Sequence, residues 1–279
     1  MKIAFTGRSS LGGVQMRGMA VAEELGVEFI DVRKLKPFHR FDVLVLVKYF
    51  SDSQTQLLRR CCDRLIYDVL DPWSSWKIHD KDVPKRFWSW VCHHLRLDDL
   101  IATSPACAKT MKKAPAQVHL LPHHADPRIR DGWYDPNGPI VYAGGERFIR
   151  NQFPQIESAC RKIGKPFVMN TTNSGWQALH GASLCLHPRL PPHDLLLNKY
   201  CKPQIKSENA AAAGLPMLAT DDPCVTSLRP DVVTWKPGDD WTERMQSAIE
   251  AGPIRNPVSL EEHAKRIMQV LEAKPCLAN

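Results

Sequence analysis

The segment from Lys202 to Thr220 contains a helix signal, a stop signal and an apolar strand in direct succession. Four alanines at 210–213 favour a helix, because alanine loses no side-chain entropy there. Gly214 can adopt the left-handed conformation that ends a helix, and Pro216 cannot continue one. The apolar run Met217-Leu-Ala219 follows at once. A helix that leads so directly into a buried strand is typical of α/β proteins.

Two lysines mark the start of this helix. Lys202 and Lys206 lie four residues apart and therefore share one helix face. The first N–H groups of a helix lack backbone partners and carry a partial positive charge. We therefore expect an anion to bind at this end of the helix.

Strand and helix patterns alternate through the rest of the chain. Phe41–Val47 is almost continuously apolar, which predicts a central parallel strand that is buried on both faces. A turn-rich stretch at 127–138, with Asp131-Gly132 and Asn137-Gly138, separates two such series. The alternation predicts doubly wound parallel sheets.

A glycine loop follows the first strand of each series. Gly12 and Gly13 come between a strand near the N-terminus and a helix at 14–25, which is how a Rossmann-like unit begins. Their spacing differs from Gly-x-Gly-x-x-Gly, so we do not expect NAD to bind. Gly144 and Gly145 follow the strand that begins at Pro139. Alternatively, Gly12 and Gly13 form an ordinary tight turn.

The stretch at 73–96 holds four of the eight tryptophans, interleaved with basic residues. Such a mixture can stack on bases and neutralise phosphates, or it can lie on an anionic membrane. A third reading places Trp88 and its apolar neighbours on the buried face of a helix. Asp68 and Asp71 precede this stretch at the end of a predicted strand, where functional groups are common, although Asp71 could equally cap the turn before Pro72.

Composition narrows the functional classes. The net charge of +7 suggests an anionic ligand or surface. The nine cysteines lack the spacing of a zinc site and are expected to be reduced thiols in the core. No apolar run approaches the length needed to span a bilayer, and the N-terminus resembles a strand rather than a signal peptide. We therefore expect a cytoplasmic protein.

The segment at 202–220 resembles the donor-site segment of the large retaining GT-B glycosyltransferase family (family 4-like). Members of that family carry a Lys ahead of Glu-Ala-x-Ala-x-Gly-x-Pro, and Lys206, Gly214 and Pro216 match its Lys, Gly and Pro. Asn209 takes the place of the Glu that holds the ribose in the family. The segment at 120–126, Leu-Leu-Pro-His-His-Ala-Asp, is similar to the family's crossing between domains.

This resemblance implies an α/β GT-B fold with two Rossmann-like, doubly wound domains facing across a cleft. The expected parts are an acceptor-side domain at 1–126, a linker at 127–138, a nucleotide-sugar domain at 139–258 and a helix at 259–279 that packs back on the first domain. It also implies transfer of a hexose from a nucleotide-diphosphate sugar, expected to be a UDP-sugar, with retention of configuration. Basic side chains would serve in place of a metal, and no further cofactor is expected.

The resemblance and the residue patterns together nominate thirteen site residues. The expected donor-binding residues are Gly12, Gly13, Gly145, Arg147, Arg150, Lys202, Lys206 and Asn209. The expected acceptor-binding residues are Trp73, Trp76 and Lys77, and the expected catalytic residues are Asp71 and His79.

The acceptor is left open by the sequence. A hydroxymethylated base in DNA, flipped out of the stack, suits the basic, tryptophan-rich stretch. A cell-surface polysaccharide or a lipid-linked sugar suits the same stretch as a peripheral membrane contact. A third alternative is a protein that binds nucleotide sugars or nucleic acid without catalysis, because a fold does not guarantee activity. No obligate protein partner is inferred.

Overall fold

The structure is a computed structural model that describes residues 1–48, 52–70, 83–146, 149–171, 175–188, 200–201 and 204–273. These residues form two compact units. Unit 1 holds the described residues of 1–123 together with 200–201 and 260–273. Unit 2 holds those of 124–188 and 204–259. The chain thus leaves unit 1 and returns to it twice.

Unit 1 is built on a parallel sheet with the strand order β2-β1-β3-β4-β5-β6. Its strands are β1 (Ile3–Gly7), β2 (Glu28–Asp31), β3 (Phe41–Val47), β4 (Cys62–Asp68), β5 (Asp99–Ala102) and β6 (Gln117–Leu120). Its first helix, α1, runs through three consecutive segments, Gly12–Val14, Gln15–Ala20 and Val21–Glu24. The later helices are α2 (Asp52–Arg60), α3 (Val83–Leu95) and α4 (Pro105–Met111), and the helix Leu260–Glu272 also belongs to this unit.

Strand β3 shows why the sheet of unit 1 is covered on both sides. Leu44 and Leu46 point into one apolar cluster, and Val43, Val45 and Val47 point into the other. All five side chains are at most 3% exposed. Successive residues of a strand face opposite ways, so a continuous apolar run requires apolar packing on both faces. The predicted central strand is therefore confirmed.

Unit 2 repeats this design with a smaller parallel sheet in the order β11-β10-β9-β7-β8. Its strands are β7 (Ile140–Ala143), β8 (Phe167–Asn170), β9 (Leu184–His187), β10 (Met217–Thr220) and β11 (Val233–Trp235). Its helices are α5 (Phe153–Ile163), α6 (Ile205–Ala212), α7 (Pro223–Thr226) and α8 (Trp241–Ala251), after which the chain enters α9 (Leu260–Glu272) of unit 1. Short 3₁₀ helices lie at Arg150–Gln152 and Gly175–Leu179.

Helix α6 ends as its sequence predicts. Gly214 has a φ of +69°, the left-handed conformation that glycine adopts without strain. Leu215 is fully buried, and β10 then begins at Met217. The helix, stop and strand signals of this segment are all confirmed by the structure.

Each sheet has one point at which the strand order reverses. In unit 1 the chain passes from β1 to β2 on one side and then returns to β3 on the other side of β1. In unit 2 it passes from β7 to β8 and then to β9 on the other side of β7. Open α/β sheets bind ligands beyond the carboxyl ends of the strands at such a point. The prediction of two doubly wound, Rossmann-like sheets is confirmed.

Two further sequence predictions concern the state of the cysteines and the absence of a segment long enough to span a bilayer. Eight cysteines lie in the described part of the chain, and all are buried without a disulfide bond. Burial raises the pKa of the Cys62 thiol to about 12 and that of Cys92 to about 11. Within the described ranges, no helix combines the length and the apolar character needed to cross a bilayer.

Candidate functional site

The turn after β7 brings a lysine and a tyrosine against backbone. Gly144 lies directly beyond the strand, and its N–H donates to Asn170 O at 3.0 Å. A Cβ atom on Gly144 would lie 2.5 Å from Lys206 Nζ and 2.7 Å from Tyr142 Oη. Any larger residue at 144 would therefore collide with both groups. The absence of a side chain lets the lysine ammonium reach the backbone of this turn.

The ring of Tyr142 packs against the ammonium group of Lys206. Lys206 Nζ lies 4.6 Å from the centroid of the Tyr142 ring, within the range of a cation–π interaction. The ring is 1% exposed, and its hydroxyl donates to Gly145 O at 3.3 Å. Lys206, in the first turn of α6, thus places positive charge at the reversal point of the second sheet. This arrangement suits an anionic ligand.

Asn209 connects α6 to the segment that begins unit 2. Its Oδ1 accepts a hydrogen bond from the backbone N–H of Asp126 at 2.8 Å. The Asp126 carboxylate in turn receives Nε and Nη2 of Arg128 at 2.8 and 2.6 Å. Asn209 therefore positions the start of unit 2, and its expected contact with a ribose stays a prediction.

Arg150 lies on the surface just beyond the glycine turn. Its side chain is 72% exposed, and its Nη2 lies 3.2 Å from Glu146 Oε1. A surface pair of this kind is weak and leaves the guanidinium able to exchange partners. Its expected role on a diphosphate stays a prediction.

The glycine loop of unit 1 lies at the N-terminus of α1. A Cβ atom on Gly12 would meet nothing within 4 Å, whereas one on Gly13 would lie 3.2 Å from Leu70 Cδ1 and 3.6 Å from Lys48 Nζ. A side chain would therefore fit at position 12, whereas a side chain at position 13 would crowd Leu70 and Lys48. Both glycines lie just past the carboxyl end of β1, where the predicted donor contact would occur.

Asp31 anchors the start of this loop. Its carboxylate accepts from the N–H and hydroxyl of Ser9 at 3.0 and 2.5 Å, and Arg33 binds it through two nitrogens. The Arg33 hydrogen bonds hold the pKa of Asp31 far below its ordinary value. In dinucleotide-binding sites the acid at this strand end contacts the ribose. Here it holds the loop in place.

The fold of the chain is similar to that of several solved glycosyltransferase structures. AviGT4, described as a glycosyltransferase involved in avilamycin A biosynthesis, matches with a TM-score of 0.59 over 97% of this chain and 96% of its own, at 13% identity. The chain has the GT-B fold. TarM of S. aureus matches with a TM-score of 0.53 over 88% of this chain at 9% identity, and the chain spans 55% of its length. OtsA matches with a TM-score of 0.53 over 92% of this chain and 78% of its own, at 9% identity.

No protein-family model matches the chain, and no curated protein matches it by sequence. The fold predicted from the sequence motifs is confirmed by the GT-B structures. At such low identity the likeness extends to the architecture and does not extend to the roles of individual side chains.

Seven of the nominated residues lie outside the described ranges of this GT-B chain. They are Asp71, Trp73, Trp76, Lys77, His79, Arg147 and Lys202. Within unit 2 the structure places Lys206 against the Gly144–Gly145 turn, Asn209 against the backbone of Asp126, and Arg150 on the surface. It places Gly12 and Gly13 in the glycine loop of unit 1.

Sequence reasoning missed the acid that stabilises α6. Glu208 is 2% exposed and binds Nε and Nη2 of Arg229 at 3.0 and 2.6 Å. It also accepts the N–H of Val258 at 3.0 Å. Burial raises the pKa of the Glu208 carboxyl, and the hydrogen bonds from Arg229 oppose that effect. The motif drew attention to Asn209, and no local pattern linked Glu208 to an arginine 21 residues away.

Unit 1 contains a similar buried pair. Arg17 and Asp68 are both fully buried, with Arg17 Nε 2.5 Å from Asp68 Oδ2. Arg17 also donates to the carbonyls of Leu121 and Pro122 at 2.8 and 3.0 Å. Asp68 therefore has a structural role in tying α1 to the strand ends. Its place at a strand end was the sequence signal, but its partner lies inside a helix 51 residues earlier.

Lys48 was also missed, although it directly follows the apolar run of β3. Its φ of +72° is unusual for a residue with a side chain. Two hydrogen bonds hold it there, because its N–H donates to Asp68 O at 3.0 Å and Tyr67 Oη donates to its carbonyl at 2.9 Å. A charged residue at the end of a continuous apolar strand is the signal that would have singled it out.

Within the described ranges, no group of three or more His, Cys, Asp or Glu side chains is arranged to hold a metal ion. At the strand ends of unit 2, Asp221 pairs with Lys236 and Glu146 pairs with Arg150, whereas Lys206 lies against the turn after β7.

Proposed function

We propose that this chain is a glycosyltransferase that moves a hexose from a nucleotide-diphosphate sugar to an acceptor hydroxyl. The observation that carries the proposal is the Lys206 ammonium held against the Gly144–Gly145 turn at the reversal point of the second sheet. The GT-B fold supports the same activity, since AviGT4 is described as a glycosyltransferase.

The proposed chemistry needs positive charge at the leaving group. The bond between the anomeric carbon and the diphosphate oxygen breaks, and the acceptor oxygen bonds to that carbon on the same face. The acceptor proton passes to the departing phosphate oxygen. Because the acceptor enters on the face that the diphosphate leaves, the configuration at the anomeric carbon is retained. A fixed ammonium and backbone N–H groups stabilise the charge that develops on the diphosphate. We assign this role to Lys206, supported by Tyr142, without a metal ion.

Further residues complete the proposal from the sequence. Arg147, Arg150 and Lys202 would add charge at the diphosphate, and Asn209 would contact the ribose of a UDP-sugar. Asp71 and His79 would polarise the acceptor hydroxyl. The two proposed acceptor classes are a hydroxymethylated base in DNA and a polysaccharide or lipid-linked sugar.

The test is an incubation of the full chain with UDP-, GDP- and ADP-sugars and with either hydroxymethylated DNA or a set of lipid and glycan acceptors. Nucleotide release and acceptor mass are measured. We expect release with one nucleotide and mass gain in one acceptor class. For Lys206→Ala we expect kcat/KM to fall about 100-fold, the cost of losing one group that stabilises the transition state.

A control variant and a binding measurement show whether the loss of turnover is specific to Lys206. Lys265→Ala removes an exposed lysine that pairs with Glu261 on α9, and turnover should be unchanged. Binding of UDP, followed by calorimetry, should weaken in Lys206→Ala while the fold is retained. Full turnover in Lys206→Ala would overturn the assignment of this residue. Absence of nucleotide release from folded protein across the whole panel would point to a binding protein instead.

A further inference from the structure

The loop between β2 and β3 presents an exposed aromatic ring among cations. Residues 33–40 read Arg-Lys-Leu-Lys-Pro-Phe-His-Arg and contain no carboxylate. Phe38 is 76% exposed, the highest value for a large apolar side chain in the described part of the chain. Exposing such a ring to water costs free energy that a partner surface would recover.

The turn that carries Phe38 is held by its own hydrogen bonds. The N–H of His39 donates to Lys36 O at 3.0 Å, and the N–H of Lys36 donates to His39 Nδ1 at 2.9 Å. Arg40 Nη1 donates to the carbonyls of Pro37 and His39 at 2.6 and 2.8 Å. The exposed ring is therefore presented by an ordered turn.

The turn is also fastened to the core of unit 1. Leu35 is 3% exposed and packs in the apolar cluster beside β3. The Cys61 thiol donates to Lys36 O at 3.3 Å, and Phe41 N donates to Cys61 O at 2.8 Å. Since Cys61 and Phe41 stand at the starts of β4 and β3, the turn lies at the amino edge of the sheet. The glycine loop of unit 1 follows the opposite edge.

Positive charge surrounds the ring. Lys34, Lys36 and Arg40 are exposed, and no carboxylate of the described residues pairs with them. The acids that flank the turn in the sequence already have partners, because Asp31 holds Arg33 and Ser9, and Asp42 accepts the N–H of Lys2 and lies 3.9 Å from the N-terminal ammonium. The local field around Phe38 therefore attracts anions.

We propose that this turn docks unit 1 on an anionic lipid surface. Phe38 enters the interfacial region, and Lys34, Lys36 and Arg40 contact the headgroup phosphates. The hydrogen bonds within the turn favour lipid over nucleic acid, because most backbone groups beside the ring already have partners and can leave water at little cost. A nucleic acid would instead gain from exposed N–H donors and from a groove that tracks its backbone. This docking is independent of the transferase proposal.

The experiment is co-sedimentation of the full chain with vesicles of phosphatidylcholine alone or mixed four to one with phosphatidylglycerol. We expect binding to the anionic vesicles only, weakening as salt rises from about 0.05 to 0.5 M, where charges are screened. Phe38→Ser should weaken partitioning about tenfold. The double variant Lys34→Ser/Lys36→Ser should weaken it roughly thirtyfold at low salt.

Matched controls remove similar groups elsewhere. Val168→Ser alters another exposed apolar side chain, and Lys112→Ser/Lys113→Ser removes two exposed lysines on unit 1. Both should bind vesicles within about twofold of the unaltered chain, since they lie outside the proposed contact. Circular dichroism melts show whether each variant is folded.

Three results would overturn the proposal. One is equal binding by Phe38→Ser and the unaltered chain, and another is equal loss in the control variants. The third is absence of vesicle binding together with Phe38-dependent binding of a single-stranded or duplex DNA, measured by fluorescence anisotropy. That third outcome would identify the turn as a nucleic-acid contact.

Discussion

Lys206 and Tyr142 occupy the space that a side chain at position 144 would need. Their distances to a Cβ atom there are 2.5 and 2.7 Å, well inside normal contact. Lys206 ends in a flexible chain that can move aside, whereas the Tyr142 ring is buried and cannot. The glycine at 144 is thus required by both the packing of the tyrosine and the position of the ammonium group.

We predict that Gly144→Ala weakens UDP binding at least tenfold and lowers the free energy of unfolding by about 1–3 kcal/mol, the usual cost of overpacking. The first effect follows from displacement of the ammonium group, and the second from strain against the ring. Calorimetric titration with UDP and urea unfolding measure the two effects separately.

A second substitution checks the cause. Tyr142→Phe removes the hydroxyl nearest to the added methyl group, so Tyr142→Phe/Gly144→Ala should lose less stability than the two single effects added together. Strict additivity would show that the hydroxyl does not oppose the new methyl group. Unchanged UDP affinity in Gly144→Ala would show that the position of the Lys206 ammonium group does not affect donor binding.

Buried charges connect whole elements in unit 1. Arg64 on β4 binds Asp99 on β5 at 2.7 Å, and His119 Nε2 on β6 lies 2.7 Å from the other oxygen of Asp99. Arg64 Nη1 also donates to the carbonyls of Leu271 and Ala273 at 3.0 and 2.6 Å. Leu271 lies in the last turn of α9 and Ala273 directly follows the helix, where carbonyls have no partner within the helix. Arg64 and Asp99 together therefore join three strands and the C-terminal helix.

We predict that Asp99→Asn lowers the free energy of unfolding by about 3 kcal/mol near pH 6, because it leaves Arg64 without its charged partner. Burial alone would raise the pKa of Asp99, but the hydrogen bonds from His119 and Arg64 outweigh it and hold the pKa below its ordinary value. The unfolded chain therefore takes up the proton first as pH falls. The stabilisation is present above about pH 4 and is lost as pH falls through the folded-state pKa.

The measurement is urea unfolding of the unaltered chain and of Asp99→Asn between about pH 3 and pH 7. The difference between the two curves should shrink as pH falls below about 4. Asp63→Asn, at an exposed position on β4, serves as the matched control and should show little difference at any pH. A difference for Asp99→Asn that stays constant with pH would contradict the linkage.

At the scale of the whole molecule, the core of unit 1 depends on the end of the chain. Ile267 and Leu271 of α9 are at most 1% exposed and pack in one apolar cluster with Phe5 and Val14. The two clusters of unit 2 contain only its own residues. Each unit thus has a core of its own, although unit 1 is assembled from separate stretches of sequence.

We predict that Ile267→Ala lowers the free energy of unfolding by about 2–4 kcal/mol, the cost of a buried cavity. Because the side chain packs only within unit 1, hydrogen exchange should accelerate in peptides of 1–123 and 260–273. Peptides of 124–188 and 204–259 should keep their protection. Mass spectrometry of exchanged peptides tests this, and equal acceleration in both units would show that they unfold together.

Much of the architecture could be predicted because its signals are local. The apolar run of β3 and the alanines and glycine around α6 each depend on a few neighbouring residues. Helix α8 (Trp241–Ala251) likewise begins after Asp240, whose side chain accepts the N–H of Glu243, and ends before Gly252. The six-residue π segment of α1 is not predictable in this way, because its departure from regular hydrogen bonding leaves no separate sequence signal.

The candidate site was predictable only in part. The sequence patterns identified Lys206 and the glycine turn, because each pattern consists of residues that lie close together in the chain. They did not show that Tyr142 lies beneath Lys206, because these residues come from different elements. The tryptophan-rich stretch suits either a surface contact or the buried face of a helix, and its Trp88 is fully buried on α3. The exposed ring that supports our docking proposal is Phe38, in a short loop whose exposure no pattern reveals.

Periodicity, glycine and proline act over a few residues, and they set the order of strands and helices, the places where these stop and the doubly wound class of the sheets. Which charges meet depends instead on packing between residues far apart in the sequence. Arg17 finds Asp68 and Glu208 finds Arg229 because the packed sheets bring them together and exclude water, and a buried charge is stable only beside such a partner.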